Sequence, residues 1–281
     1  MIQQAQARGN LSVEAWCEAL DVSASGYYAW CERDISPHQQ ADGRLGDEIE
    51  RVFTKSRRTY GSHRVWLGLR ERGIRTSRKR VERLMRQRGL RSIRARKRRL
   101  GLTKAGQSAY FAPNLLQQDF NTTRKNEKWV TDTTYIPTHE GWLYLVGVMD
   151  LFSRQVVGWA MGEHHDADLA TSALDMAIGR ARPAAGLILH SDRGSEFANA
   201  NFQARATAAK ICLSMSSTGN CYDNAPAESF FATVKLEAIP EGIFASRQEA
   251  RMALFDYIEV FYNRQRLHSG IGYAPPISRA A

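Results

Sequence analysis

The sequence predicts a mixed α/β fold, a five-stranded sheet with flanking helices, preceded by all-α helix-turn-helix modules. Three observations carry this. From residue 128 three β-rich runs, "KWVTDTTYIPT", "GWLYLVGVMDLFS" and "RQVVGWAMG", follow one another across short turns. Helical and extended stretches then alternate: "ADLATSALDMAIGRAR", "GLILHSD", a helix near 200–210, and "CLSMSS". Ahead of residue 93, apolar residues recur at helical spacing between short polar breaks.

Taken in order, the first helical module (1–44) is built on "LSVEAWCEALDVSASGYYAWCER". Val13, Trp16, Cys17 and Leu20 share one helical face, and Ser23 or Ser25 can cap a second helix carrying Tyr28 and Trp30. Its acidity argues against strong phosphate contact and leaves structural and protein-binding roles both open. The second module (45–92) repeats the outline. Leu45, Ile49, Val52 and Phe53 lie on its first helix, Val65 to Leu69 on its second, and Ser77 caps "RKRVERLMRQRGL". There Val81, Leu84 and Met85 face inward, while Arg78, Lys79, Arg83 and Arg86 face out, as in a recognition helix or one that only contacts phosphates. Residues 93–127 lack sustained periodicity and read as a basic linker that orders on DNA. A sheet-containing domain then fills 128–281, ending in the helical stretches "AESFFATVKLEAI" and "SRQEARMALFDYIEVFYNRQR". Three sequential strands followed by alternating helices and strands describe a sheet of the ribonuclease H type.

At 281 residues and 43% hydrophobic content, the chain can bury a sizeable core. The run "GWLYLVGVM" stops at Asp150, short of the roughly 18 apolar residues a membrane helix needs, and the amino end has no basic segment followed by an apolar block. A cytoplasmic protein without membrane contact is expected. Four cysteines lack CxxC pairing and zinc-finger spacing, so reduced, structural thiols are expected. The formal charge of +10 is unevenly placed: residues 1–50 carry three Lys/Arg against nine Asp/Glu, whereas residues 51–100 carry twenty against two. Interleaved with apolar residues at helical spacing, that basic block reads as a folded module whose partner is the phosphate backbone of nucleic acid.

The chemistry rests on acids. Asp132 lies inside the first strand on the face of Val130, Thr134 and Ile136, where a carboxylate is costly unless paired or bound to metal. Asp192 ends the fourth strand in "LILHSDRGSEF", a place that ordinary turn chemistry also explains. Glu228 opens a helix after Asp223, Asn224 and Pro226, and at about 100° per residue Lys235 lies within about 20° of it around the helix. Asp150 ends the second strand and could join a metal site; Glu196 and Asp223 read as turn and cap residues, and His190 as a packed strand histidine.

Taken together, two strand aspartates, a helix glutamate with 35 residues between it and the second, and a lysine seven residues further resemble the DDE core of retroviral integrases and bacterial transposases. More narrowly, "WVTDTTYI", "VMDLFSRQVVGWAM", "HSDRGSEF", "GNCYDNAPAESFFATVKLE" and "FYNRQRLHSGIGYAPP" are similar to the second-reading-frame (OrfB) protein of the IS-three insertion-sequence family. The resemblance covers nearly the whole chain, with Asp21 where the family commonly has a turn glycine and without the retroviral His/His/Cys/Cys zinc module. It implies a DNA transposase with Asp132, Asp192 and Glu228 as catalytic carboxylates and metal ligands, and it leaves Asp150 outside the site. Mg²⁺, with Mn²⁺ substituting, suits hard oxygen ligands, and two ions about 3.5 to 4 Å apart serve in-line displacement at phosphorus. Lys235 and Arg78, Lys79, Arg83 and Arg86 are the expected DNA contacts. Expected partners are double-stranded DNA as terminal inverted repeats and as target, further copies of the chain on DNA, and an upstream-frame (OrfA) protein or fusion. The expected location is the cytoplasm, associated with the nucleoid. Two competing readings are a structure-directed nuclease on the same fold and a non-catalytic DNA-binding regulator; the latter should have lost a carboxylate, yet all three are present.

Overall fold

Serine caps fix where the amino-terminal helices begin. In the computed structural model, which describes residues 12–93, 111–217, 220–239 and 242–280, Ser12, Ser23, Ser36 and Ser77 each accept a hydrogen bond from the backbone N–H three residues on. Each bond satisfies a donor that the first helical turn would otherwise leave open. The resulting helices are α1 (Val13–Ala19), α2 (Ala24–Cys31), α3 (Pro37–Lys55) and, after α4 (Ser62–Glu71), α5 (Arg78–Gln87). Asp21, in the turn between α1 and α2, takes the left-handed conformation at φ 52°, which Asp tolerates better than most residues. Helix α3 starts at Pro37 rather than at Leu45, because Ser36 and Gln39 form a reciprocal capping box and proline suits the first position. The division expected at 44/45 therefore falls inside a helix.

Helices α3, α4 and α5 close around Ile49, Phe53, Val65, Leu69 and Val81, all fully buried. Charges brace the same bundle. Asp42 on α3 accepts from Arg80 Nε at 2.8 Å and Arg83 Nη2 at 2.6 Å, and Arg88 reaches Asp47 and Glu50. The bundle is docked on the rest of the chain: the Tyr60 hydroxyl accepts from Leu267 N at 2.7 Å and donates to Gln265 O at 3.2 Å, while Arg57 pairs with Asp256 at 2.6 Å and lies over Phe261.

Strands β1 (Lys128–Thr138), β2 (Gly141–Asp150), β3 (Val156–Gly162), β4 (Ile188–Ser191) and β5 (Cys212–Met215) form one mixed sheet of order β3-β2-β1-β4-β5. β1 pairs antiparallel with β2 from Trp129↔Asp150 to Thr138↔Gly141, but pairs parallel with β4 only at residues 128–130. The carboxyl half of β1 thus runs on past the end of β4.

Helices α6 (Ala167–Ala181) and α7 (Ala200–Ala208) cover the face of Trp129, Val146 and Val148. Close approach of α6 requires Gly158, where a Cβ would stand 2.3 Å from Ala173 O. The opposite face, with Val130, Ile136 and Leu145, is covered by α8 (Ala225–Ala238), entered through a 3₁₀ turn at Cys221–Asn224, and by α9 (Arg247–Phe255). The single helix expected over 246–266 is α9 continued by π-helical winding over Asp256–Tyr262, before the short α10 (Pro276–Ala280). Arg266 and Glu237, both buried, join the end of this segment to α8 through bonds of 2.8 and 2.7 Å.

The linker expected at 93–127 is only partly one. Residues 94–110 lie outside the described residues. Residues 111–127 pack on the sheet domain, with Leu116 buried, Leu115 N bonded to Ser214 Oγ and Asn126 N to Asp150 Oδ1. Its Phe111, Ala112 and Leu116 supply apolar anchors that the lack of periodicity concealed. Among the described residues no helix is long and apolar enough to cross a membrane.

Candidate active site

Asp132 sits where β1 outruns β4, facing Gly147 of β2, whose missing side chain leaves room for Phe230 and Phe231 of α8. Its Oδ1 accepts from Thr133 N at 2.7 Å. Asp192 directly follows β4, and its Oδ1 accepts from Gly194 N at 2.9 Å, the geometry of an acid closing a tight turn. Glu228 lies in the first turn of α8, exposed, on a helix held in place by Ala227, Phe230, Phe231 and Val234. Three separate elements thus bring the acids to one end of the sheet.

Asp132 and Glu228 each lie near enough to Asp192 to feel its charge. Burial, then Asp192, Glu228 and Glu196, hold the Asp132 carboxyl well above the usual aspartate range, against the Thr133 N–H that lowers it. Asp132 keeps a rim of solvent contact, although protein surrounds it densely. Burial, then Glu196, raises Asp192, opposed by the Gly194 N–H and by His165. Glu228 is open to solvent on one side, yet the protein packed around its carboxyl, then Asp192, raises it. Among the described residues no group of three or more His, Cys, Asp or Glu side chains stands close enough together to hold a metal ion as placed; the carboxylates sense one another's charge without meeting at one point. All are hard oxygen donors, and each would ionise more readily beside a divalent cation.

The other sequence candidates separate. Asp150 is buried and committed to structure, accepting from Asn126 N, Ser153 N and Ser153 Oγ. His190 is packed as expected, within reach of Ser214 and Ser216, and burial pushes it down to about 4. Glu196 is no mere turn residue: it is buried, its Oε1 accepts from Thr133 Oγ1 at 2.8 Å and lies 2.7 Å from His165 Nε2, and its Oε2 has no hydrogen-bond partner among the described residues. Asp223 is likewise more than a cap, because its two oxygens accept from Asn114, Gln118, Ser217 N and Asn220. Burial alone would raise Asp223, yet these donors bring it below the ordinary value. Thr133 and His165 lie far from Glu196 in sequence, and Asn114 and Gln118 far from Asp223, so no local pattern announces them. Lys235 is half-buried on α8, two turns beyond Glu228. Arg78, Lys79 and Arg86 are exposed on α5, whereas Arg83 is half-buried and bonded to Asp42.

Comparison with known proteins agrees with this architecture. The integrase core domain family matches residues 122–221 and a second integrase core model matches 209–276, while an HTH-like domain family matches residues 40–98. The catalytic core domain of HTLV-2 integrase, solved in complex with magnesium, aligns at 19% identity over 56% of this chain and 98% of that one, with a TM-score of 0.42. The chain is 44% identical to an uncharacterized 31 kDa protein of insertion element IS600 from Shigella sonnei, over 92% of this chain and 95% of that protein. It is 40% identical to transposase InsF of insertion sequence IS3A from Escherichia coli K12, over 96% of this chain and 94% of that protein. Identity of this extent, through the helical module and all three carboxylate-bearing segments, means that the chain belongs to the IS3 family of insertion-sequence transposases, DNA-cleaving and strand-transferring enzymes of the DDE type.

Proposed function

We propose that the protein cuts the ends of an insertion sequence and joins them to DNA by two-metal-ion phosphoryl transfer at Asp132, Asp192 and Glu228. The observation that supports this most is the approach of three carboxylates from three elements, each made harder to ionise by burial and by a neighbouring acid: Asp132 by Asp192 and Glu228, Glu228 by Asp192, and Asp192 by Glu196. Mg²⁺, or Mn²⁺ in its place, would be held by these three side chains and would supply Lewis-acid stabilisation of the attacking and leaving oxygens. The chain's own part is to orient. The Thr133 and Gly194 N–H groups aim the two aspartates, and the first turn of α8 presents Glu228. Asp150 stays outside the site.

The division of labour follows the charge. The acidic helices α1 and α2 form one module, α3 to α5 the basic DNA-gripping module, and residues 128–281, with 111–127 packed on them, the catalytic domain. Arg78, Lys79 and Arg86 carry the contact to duplex phosphates, and Arg83 contributes less because Asp42 already engages its guanidinium. Terminal inverted repeats and target DNA are the substrates, several copies assemble on them, and an upstream-frame (OrfA) protein or fusion completes the assembly. The test is incubation of purified protein with labelled duplex carrying the ends of the element that encodes it, with Mg²⁺. Cleavage and joining at those ends support the reading. Cleavage of any branched duplex without joining would instead favour the structure-directed nuclease, and binding without cleavage the regulator.

Lys235 separates the first two. Its Cα lies about 10 Å along α8 from that of Glu228, too far for a shared ligand role yet near enough for a long side chain to meet DNA entering the site. Lys235→Ala is expected to reduce end-specific cleavage and joining more than cation binding, and Lys235→Arg to retain part of the activity because the charge persists. Equal end joining by wild type and Lys235→Ala at physiological salt would remove Lys235 from the DNA path.

A further inference from the structure

Residues 111–118 touch the two carboxylate-bearing segments that the fold otherwise leaves to loops. At one end, Phe111 lies beneath the guanidinium of Arg193, 4.8 Å from its ring centre, and Arg193 is the neighbour of Asp192. Arg193 Nε in turn donates to Ser216 O at 2.8 Å. At the other end, Asn114 Nδ2 and Gln118 Nε2 each donate at 2.9 Å to Asp223, five residues ahead of Glu228. Asp223 is itself buried and also holds Ser217 N and Asn220 Nδ2, both at 2.8 Å, gathering the loop that leads into α8. Between these ends Leu115 N donates to Ser214 Oγ on β5, and Leu116 is sunk in the core. The next residue after Asp223 reaches the third segment, because Asn224 Nδ2 donates to Thr131 O at 3.1 Å, beside Asp132.

We propose that residues 111–118 are a positioning strap, clasped by Asp223, that sets the Asp192 and Glu228 segments in register with each other. The proposal rests on the assignment of these acids as the catalytic set. The strap touches no reacting atom; it acts through Asp223 and Arg193. A buried carboxylate with four donors is a stiff joint, since withdrawing any donor leaves charge less well solvated.

The test compares full-length wild type with the Asn114→Ala/Gln118→Ala double variant, with Asp223→Ala and with the triple variant. Amide hydrogen exchange without DNA is the first readout. Exchange in 192–198 and 217–228 is expected to quicken in the double variant, with that of β2 and α6 unchanged. The second readout is cleavage of labelled duplex carrying the element's ends across a Mg²⁺ titration. The double variant should cut about tenfold more slowly or worse and require more Mg²⁺ at half-maximal rate, while duplex binding holds. The triple variant should be no worse than Asp223→Ala, because both changes break one joint. Unchanged exchange in both segments overturns the strap, as does a rate loss tracking a general fall in melting temperature. Should wild type cut no DNA, the assigned reaction fails, and the exchange data still decide the strap.

Discussion

Asp132→Asn, Asp192→Asn and Glu228→Gln are each expected to lower Mg²⁺-dependent strand cleavage by about 10³-fold or more, because a cation held by the set contributes several kcal/mol of charge stabilisation. Duplex binding should stay near the wild-type level, since the basic module lies on other helices. A stability signature accompanies the loss. Asp132 has a carboxyl pKa above its unfolded value, so the folded state binds more protons than the unfolded one between those two values. Stability therefore falls as pH rises through that window, and above it the charged form opposes folding. Removing that charge should leave Asp132→Asn melting at or above wild type in chelator at neutral pH. Substantial cleavage by any one variant would remove that residue from the site, and a lower melting point for Asp132→Asn would show that its charge is already compensated.

The largest expected stability loss lies elsewhere, at Arg266 and Glu237. Burial works against the guanidinium charge, yet Glu237 holds Arg266 above the usual arginine range, and Tyr257 Oη donates to the same carboxylate at 2.8 Å. Arg266→Met leaves that carboxylate buried without its counter-charge, which costs about 3–5 kcal/mol. The expected result is a clear drop in the urea midpoint read by tryptophan fluorescence. Adding Glu237→Met should restore much of it, because two apolar side chains no longer ask for solvation. A double variant as unstable as Arg266→Met would place the loss in packing instead.

Much of this was legible in the residues. Period-two alternation placed Asp132 on its strand, Ser77 announced α5, and the proline after Asn224 marked the start of α8, because these signals are local and physical. The mixed five-stranded sheet also follows from three sequential strands and alternating helices, whereas its strand order is seen only in the structure. What stayed hidden was long-range. Nothing near Asp223 points to Asn114 and Gln118, more than a hundred residues earlier, and nothing near Glu196 points to Thr133 or His165. The start of α3 escapes apolar periodicity for a different reason: that periodicity begins at Leu45, whereas the capping box that opens the helix is polar.

The Tyr60 hydroxyl, seated between Leu267 N and Gln265 O, has a metrical consequence. With Arg57 locked to Asp256 beside it, α5 rides at a set offset from Asp132, Asp192 and Glu228. For a duplex gripped by α5, the count of base pairs between the gripped phosphates and the severed one is then measured by the protein. About five added base pairs, half a helical turn, would carry the scissile bond to the far side of the duplex, out of reach of the ruler.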